Sequence, residues 1–206
     1  MDVYMEYDLN NGIPSPVFPP GHVFRPIARE EGHIWENVMD QAFGNYYAGD
    51  FELVMVENYA YLPERVYVLF DEHGKPCGTA SAWSQPYLWG NDYGYIIFVG
   101  LVPTLRNQGL SRQMIYNICQ TIKDRGQRFA LLNVDHENLA AIKSYLNAGF
   151  LPRLTDRKQA KAWKRIFKKL KLKPVAYPVE ILPRPEVPHP PRPWLLDLRE
   201  MGHDVR

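Results

Sequence analysis

The stretch "VGLVPTLRNQGLSRQMI", residues 99–115, reads as an apolar strand that halts at Pro103 and resumes as a helix near Leu110 or Ser111. Between the two lies LRNQGLS, polar, with one glycine just ahead of the helix. A helix start leaves several backbone N–H groups unsatisfied and carries a partial positive charge. Gly109 permits a tight turn there, and Arg106 adds a full charge, a combination suited to phosphate or pyrophosphate. The patterns GxxxxGK[ST] and GxGxxG are both absent, which argues against a P-loop NTPase or a Rossmann enzyme. Taken alone, the stretch fits an ordinary strand-to-helix turn with a surface arginine equally well.

The flanking sequence alternates strand and helix signals. Upstream, HVFRPIA reads as a strand, and REEGHIWENVMDQAF as a helix with Ile34, Val38, Met39 and Phe43 on one face. A second short helix is expected in DFELVMVENYA. A hairpin follows in ERVYVLFDEHGKPCGTASAW, turning at His73–Pro76. YGYIIFVGLV is the best strand of the chain, and Gly100 within it suggests a bulge or a close backbone approach. Downstream, SRQMIYNICQTIKDRG gathers Met114, Ile115, Ile118, Cys119 and Ile122 on one helical face and stops at Gly126. RFALLNVD is a strand, and NLAAIKSYLNAGF a short helix with Asn138 as N-cap and Gly149 as terminator. Strand, helix, strand, helix implies a parallel pair joined by a right-handed crossover.

Bulk properties narrow the class. The 206 residues are 46% hydrophobic and 23% charged, with net charge +1, so no global field recruits polyanions. Apolar runs fall far short of the roughly 20 residues of a membrane helix. The acidic start, MDVYMEYDLNNGIPSP, lacks the features of a signal peptide. The two cysteines, Cys77 and Cys119, form no metal spacing, and a cytoplasmic setting is expected. Six histidines form no ligand cluster; His33 and Glu36 lie one helical turn apart with no third ligand, so no metal is expected.

The pair VPTLRNQGLS and NLAAIKSYLNAGF resembles the GCN5-related N-acetyltransferase (GNAT) family. Its first signature, [RQ]xxGx[GA], matches Arg106, Asn107, Gln108, Gly109 and Leu110, with Ser111 in place of glycine or alanine. Its second matches Asn138, Ala141, Tyr145, Gly149 and Phe150. The resemblance is specific over about residues 94–152. It implies an α/β fold: a mixed, twisted central sheet flanked by helices, whose fourth and fifth strands splay apart to admit acetyl-CoA. It also implies a bulge in the fourth strand, near Gly100. The backbone of Leu101 and Val102 would pair with the pantetheine arm, and amides from Arg106 to Ser111 would hold the pyrophosphate. Asn138 would contact the cofactor, and Tyr145 would be the general acid. The expected organisation is a proline-rich arm over 1–22, an acyltransferase domain over 23–154, and a basic helix with a proline-rich tail over 155–206.

An amine acceptor is implied, a small molecule favoured over a protein. The glutamate that many relatives carry on the fourth strand is missing from YGYIIFVGL, leaving Asp92, Tyr93 or a water chain to a distant carboxylate as base. Trp83, Tyr87, Trp89, Tyr93 and Tyr95 could line an acceptor pocket or cover the core, the latter favoured for Trp83; Tyr46 and Tyr47 could border the acceptor. DRKQAKAWKRIFKKLKLK starts at Asp156 as N-cap and carries the apolar stripe Trp163, Ile166, Phe167 and Leu170. Its basic face reads as a solvated surface in preference to a nucleic-acid contact or an attractor of acidic substrates. The tail, with eight prolines between 174 and 193, should wrap the core or a neighbouring subunit, anchored by Trp194, Leu195 and Leu196. The alternatives are a non-catalytic acyl-CoA-binding regulator and a nucleic-acid-interacting protein. A homodimer is left open.

Overall fold

The central strands are buried almost end to end, as in a sheet covered on both faces, and the first strand alternates buried with half-buried residues. In a computed structural model, which describes residues 1–44, 48–175 and 180–182, seven strands form: β1 (Asp2–Asp8), β2 (Val23–Pro26), β3 (Val66–Phe70), β4 (Pro76–Ser84), β5 (Tyr93–Leu101), β6 (Phe129–Asp135) and β7 (Leu151–Arg153). They make one mixed sheet in the order β2-β3-β4-β5-β6-β1-β7, in which only β5 and β6 run parallel. The helices are α1 (Gly32–Phe43), α2 (Pro86–Trp89), α3 (Leu110–Asp124), α4 (Leu139–Asn147) and α5 (Gln159–Leu170). The short helix expected near residue 51 is a single wide turn, Phe51–Val56.

Each sheet face carries its own core. On one, Met114, Ile115, Ile118, Cys119 and Ile122 of α3, Ile142 of α4 and Trp163, Ile166 and Phe167 of α5 pack on Met5, Ala80, Ile96 and Leu132. On the other, α1 packs on Val66, Val68, Trp83 and Leu131. Its buried stripe is Trp35, Val38, Met39 and Ala42, whereas Phe43, expected in the stripe, is 41% exposed. Trp83 is core, as favoured. The basic helix is docked by the expected stripe, but Asp156 caps only a preceding turn, accepting from the Lys158 N–H at 2.6 Å, and the helix begins at Gln159.

The reading of residues 1–22 as an arm needs correction. DVYMEYD alternates Val3 and Met5, both fully buried, with the polar Asp2, Tyr4 and Glu6, which is the strand period. β1 therefore enters the sheet between β6 and β7, pairing antiparallel with both. Only the later, proline-bearing part runs irregularly; its Val17 N–H donates to Gln113 Oε1 on α3 at 2.9 Å, and Phe18 lies 5.6 Å from Phe24. At the other end, Leu182 is buried and its N–H donates to the Leu154 carbonyl at 2.7 Å, which brings that piece of the tail to the sheet edge. Trp194, Leu195 and Leu196 lie outside the described residues, as do Tyr46 and Tyr47.

Two backbone irregularities shape the centre of the sheet. The register between β4 and β5 shifts from Thr79↔Gly100 to Ser81↔Ile97, so β5 holds one extra residue there. The residue that turns is Phe98, at φ +52°, held edge-on to Trp35 at 5.2 Å. The bulge is thus not made by Gly100. That glycine serves close approach instead: a Cβ there would sit 3.0 Å from the Ala42 Cβ and from the Phe43 ring. The second irregularity is the splay. β5 and β6 pair only at Tyr93↔Phe129, Gly94↔Ala130 and Tyr95↔Leu131, after which β5 follows β4 to Leu101 and β6 follows β1 to Asp135. These are the fourth and fifth strands of the expected sheet, renumbered by the added β1.

If β1 is integral, Met5→Ala removes a fully buried side chain and should cost about 2–5 kcal/mol in urea unfolding. A loose arm would show no change.

Candidate functional site

The splay and the β5–α3 loop open on the same end of the sheet. Beyond Tyr95 and Leu131, the facing edges of β5 and β6 lack the ladder that joins their first halves. Alternation decides which amides face that gap. Val102 donates its N–H to the Cys77 carbonyl at 3.0 Å, towards β4, so its amide is not available, a correction to the expected pair. The neighbouring Leu101 N–H alternates to the open side.

The loop that follows is a run of unpaired donors. Arg106 N–H closes on the Pro103 carbonyl, and the first helical bond of α3 runs from Gln113 N–H to the Gly109 carbonyl at 3.4 Å. Among the described residues, the N–H groups of Asn107, Gln108, Gly109, Leu110, Ser111 and Arg112 have no backbone partner. Asn107 at φ +64° and Gly109 at φ +80° turn the chain back on itself. A Cβ on Gly109 would meet only Arg112 Nη2, at 4.0 Å. Arg112 thus brings a guanidinium to the mouth of the turn, a residue the sequence reading did not single out although it stands one position past the signature. Successive amides at a helix tip beside a cation form an anion cradle.

Several candidate side chains have structural duties as well. Arg106 does not point into the turn; its Nη2 donates to the Ala42 carbonyl at 2.5 Å and ties the loop to the end of α1. Gln108 Nε2 donates to the Thr104 carbonyl at 3.2 Å. Leu110 is buried and anchors the first turn of α3. Ser111 Oγ lies 3.5 Å from Ser144 Oγ, joining α3 to α4. Asn138 caps α4, its Oδ1 accepting from the Ala141 N–H at 3.1 Å, as read from the sequence.

Tyr145 stands on α4 in the same core as Leu110, Met114 and Leu132, its ring 6.1 Å from Phe150. Its hydroxyl makes no hydrogen bond among the described residues, yet it is not among the fully enclosed unpaired polar atoms, so it keeps some contact with solvent. Burial pushes its pKa up to about 12.

The two side chains considered as base lie elsewhere. Asp92 is exposed just before β5, at the closed end, and its carbonyl accepts from the N–H groups of Arg128 and Phe129. Tyr93 donates its hydroxyl to Glu6 Oε2 at 2.9 Å, and Glu6 is ion-paired to Arg153 at 3.2 Å. Burial and the Glu6 carboxylate push the Tyr93 pKa up to about 12, so it is a donor at neutral pH. A second polar chain, missed in the sequence, crosses the apex of the splay. The Tyr95 hydroxyl donates to Asn133 Oδ1 at 2.7 Å, and Asn133 Nδ2 donates to Asp2 Oδ2 at 2.8 Å. Trp89 of α2 stacks on Tyr95 at 6.0 Å and meets Tyr4 at 5.1 Å. The carboxylates on this face come from β1, whose membership of the sheet was not foreseen.

Comparison with known proteins gives the family and the fold. The family model described as "Acetyltransferase (GNAT) family" matches residues 33–150, more than half of the chain. A GCN5-related N-acetyltransferase from Sphaerobacter thermophilus superposes with a TM-score of 0.61 at 19% identity, covering 74% of this chain and 48% of that one. A GNAT-family acetyltransferase from Colwellia psychrerythraea gives 0.58 at 12% identity, covering 73% and 52%. The ribosomal-protein-S18-alanine N-acetyltransferase from Escherichia coli gives 0.50 at 18% identity, covering 62% and 76%. This chain therefore spans about half the length of the first two. Among curated protein sequences no match is found. The chain belongs to the GNAT acetyltransferase family.

Proposed function

We propose that the protein is an acetyl-CoA-dependent N-acetyltransferase that moves the acetyl group directly to an amine, a small molecule in preference to a protein. The observation that carries this reading is the alignment of the β5–β6 gap with six unpaired amides at the tip of α3. Leu101 would pair with the pantetheine arm as an added strand does. The amides of Asn107–Arg112 would hold the pyrophosphate, with Arg112 close by, and the free Nδ2 of Asn138 is left to meet the cofactor.

The reaction forms a C–N bond at the thioester carbonyl and breaks the C–S bond. Negative charge gathers first on the carbonyl oxygen, where a strand amide at the gap can receive it. It then moves to the departing sulfur. A tyrosine at about 12 is a weaker acid than a thiol, by about 5 kcal/mol for full transfer, so Tyr145 serves as a hydrogen-bond donor to the nascent thiolate. The proton that ends on sulfur is the one released by the amine. Both cysteines argue against an acyl-enzyme: burial pushes Cys77 up to about 11 and Cys119 higher still, leaving neither as a thiolate. In the setting of a reducing compartment both remain free.

A second reading, an acyl-CoA-binding regulator without turnover, draws on one observation. Asp92 and Tyr93 both lie away from the gap, and no carboxylate stands on β5. Under the acyltransferase reading the amine would need the Tyr95–Asn133–Asp2 side of the apex, reached through water, to lose its proton.

Acetyl-CoA at a hundredfold over its dissociation constant should stabilise the fold by about 2.7 kcal/mol, read as a rise in Tm. No shift would remove both readings. Free-thiol release over an amine panel separates them: Tyr145→Phe should lower kcat by about 100-fold or more with KM little changed, whereas a regulator releases no thiol in either form. Because the folded pKa of Tyr145 is raised, its donor form persists as pH climbs, and the rate should show no loss up to pH about 10 from this group. A fall in kcat from about pH 8 that vanishes in Tyr145→Phe would contradict the assignment.

A further inference from the structure

The segment from Asp156 to Lys173 carries nine of the chain's 24 Lys and Arg residues against one of its 23 acids, so the rest of the chain is net −7. A surplus of carboxylates was thus available to pair with these cations. None does so: among the described residues, no ion pair involves Arg157, Lys158, Lys161, Lys164, Arg165, Lys168, Lys169, Lys171 or Lys173. Along α5 the apolar side is spent on the core, with Trp163 fully buried and Ile166 and Phe167 nearly so. The outer side is Lys161, Lys164, Arg165, Lys168 and Lys169, all exposed. They repeat at i, i+3 and i+4, forming a single-sign stripe over about two turns.

That arrangement opposes helix stability. Lys161 faces Arg165, Lys164 faces Lys168, and Arg165 faces Lys169, each a like-charge pair at i, i+4 that costs about 0.2–0.5 kcal/mol. A face needing only hydration would carry both signs. From this we infer that the outer face of α5 is a docking surface for the phosphodiester backbone of a nucleic-acid duplex, read without base specificity.

The occupant follows from what the face lacks. Insertion into a membrane surface needs a row of exposed apolar side chains along the helix, whereas Trp163, Ile166 and Phe167 are buried, Leu170 is half-buried and Leu172, just past the helix, is a single exposed leucine. Single strands are held by stacking on exposed aromatic rings, and Trp163 and Phe167, the aromatics of this helix, are buried. What remains is a row of cations at helical spacing, which matches a regular row of phosphates and offers no group set in place to read a base. The surface lies on α5, whereas the anion cradle is at the tip of α3, so the two are separable by mutation.

The test is fluorescence anisotropy of the full chain with a labelled 20-base-pair duplex across a salt series. Four phosphate contacts would give a log–log slope of about −3.6 and weaken binding about a hundredfold between 50 and 200 mM salt. The combined variant Lys161→Glu, Lys164→Glu, Arg165→Glu and Lys168→Glu should lose binding by at least about tenfold and flatten the slope. Its melting curve should stay close to that of the parent protein, since all four side chains are exposed and two of the three like-charge pairs, 161/165 and 164/168, remain like-charged. Absence of duplex binding at 50 mM salt, equal binding by the variant, tighter binding to a single strand of the same length, or binding only to phosphatidylserine vesicles or to polyglutamate would each overturn the inference. Because the readout is the duplex, its failure leaves the acyltransferase reading standing, and the reverse also holds.

Discussion

Tyr95 and Leu131 are the last residues to join β5 to β6, and the site depends on that early ending. Beyond them β5 stays bonded to β4 and β6 stays bonded to β1, so each strand is held on its outer side while the inner edges separate. An unpaired sheet edge is costly where it is buried and useful where a ligand can complete it. The bulge at Phe98, with Trp35 edge-on against its ring, lies in the half of β5 that has left β6 and stays bonded to β4. The apex itself is bridged by the Tyr95–Asn133–Asp2 chain, which brings polar groups to the point where pairing stops.

The loop at the open end combines cradle and scaffold. Arg106 matches the family's signature and Ser111 stands at its last position, yet each is tied to a neighbouring helix: Arg106 to the end of α1, Ser111 to α4. Asn138 spends its oxygen on the N-cap of α4 and so fixes where Tyr145 stands two turns later. A residue in such a motif is therefore not by itself a ligand contact. Among the described residues of this loop the unpaired groups are the backbone amides of Asn107–Arg112, and they depend on side chains elsewhere to hold them in place.

Much of this was legible in the sequence because the signals were local. Hydrophobic period placed α3, α4, β5 and β6, and Asn138 and Gly109 act by short-range chemistry at the positions read for them. What was missed depended on contacts distant in sequence. The strand in DVYMEYD is seven residues long, and the prolines that follow it suggested an arm; its partners in β6 lie between 121 (Asp8↔Phe129) and 133 (Asp2↔Asp135) residues away. Gly100 was a sound sign of something unusual, but whether it bulges or admits a helix depends on Ala42 and Phe43. Val102 was excluded from the gap only by knowing that Cys77 takes its amide. The basic stripe of α5 was plain in the sequence, whereas its lack of counter-ions required the fold.

The central claim is that the gap between β5 and β6 and the amides at the tip of α3 form one ligand site. Amide hydrogen exchange with and without acetyl-CoA reads those groups directly. The account predicts new protection at Leu101 and across Asn107–Arg112, with Val102 unchanged because it is already bonded to Cys77. Protection confined to other segments, or none at saturating acetyl-CoA, would contradict it.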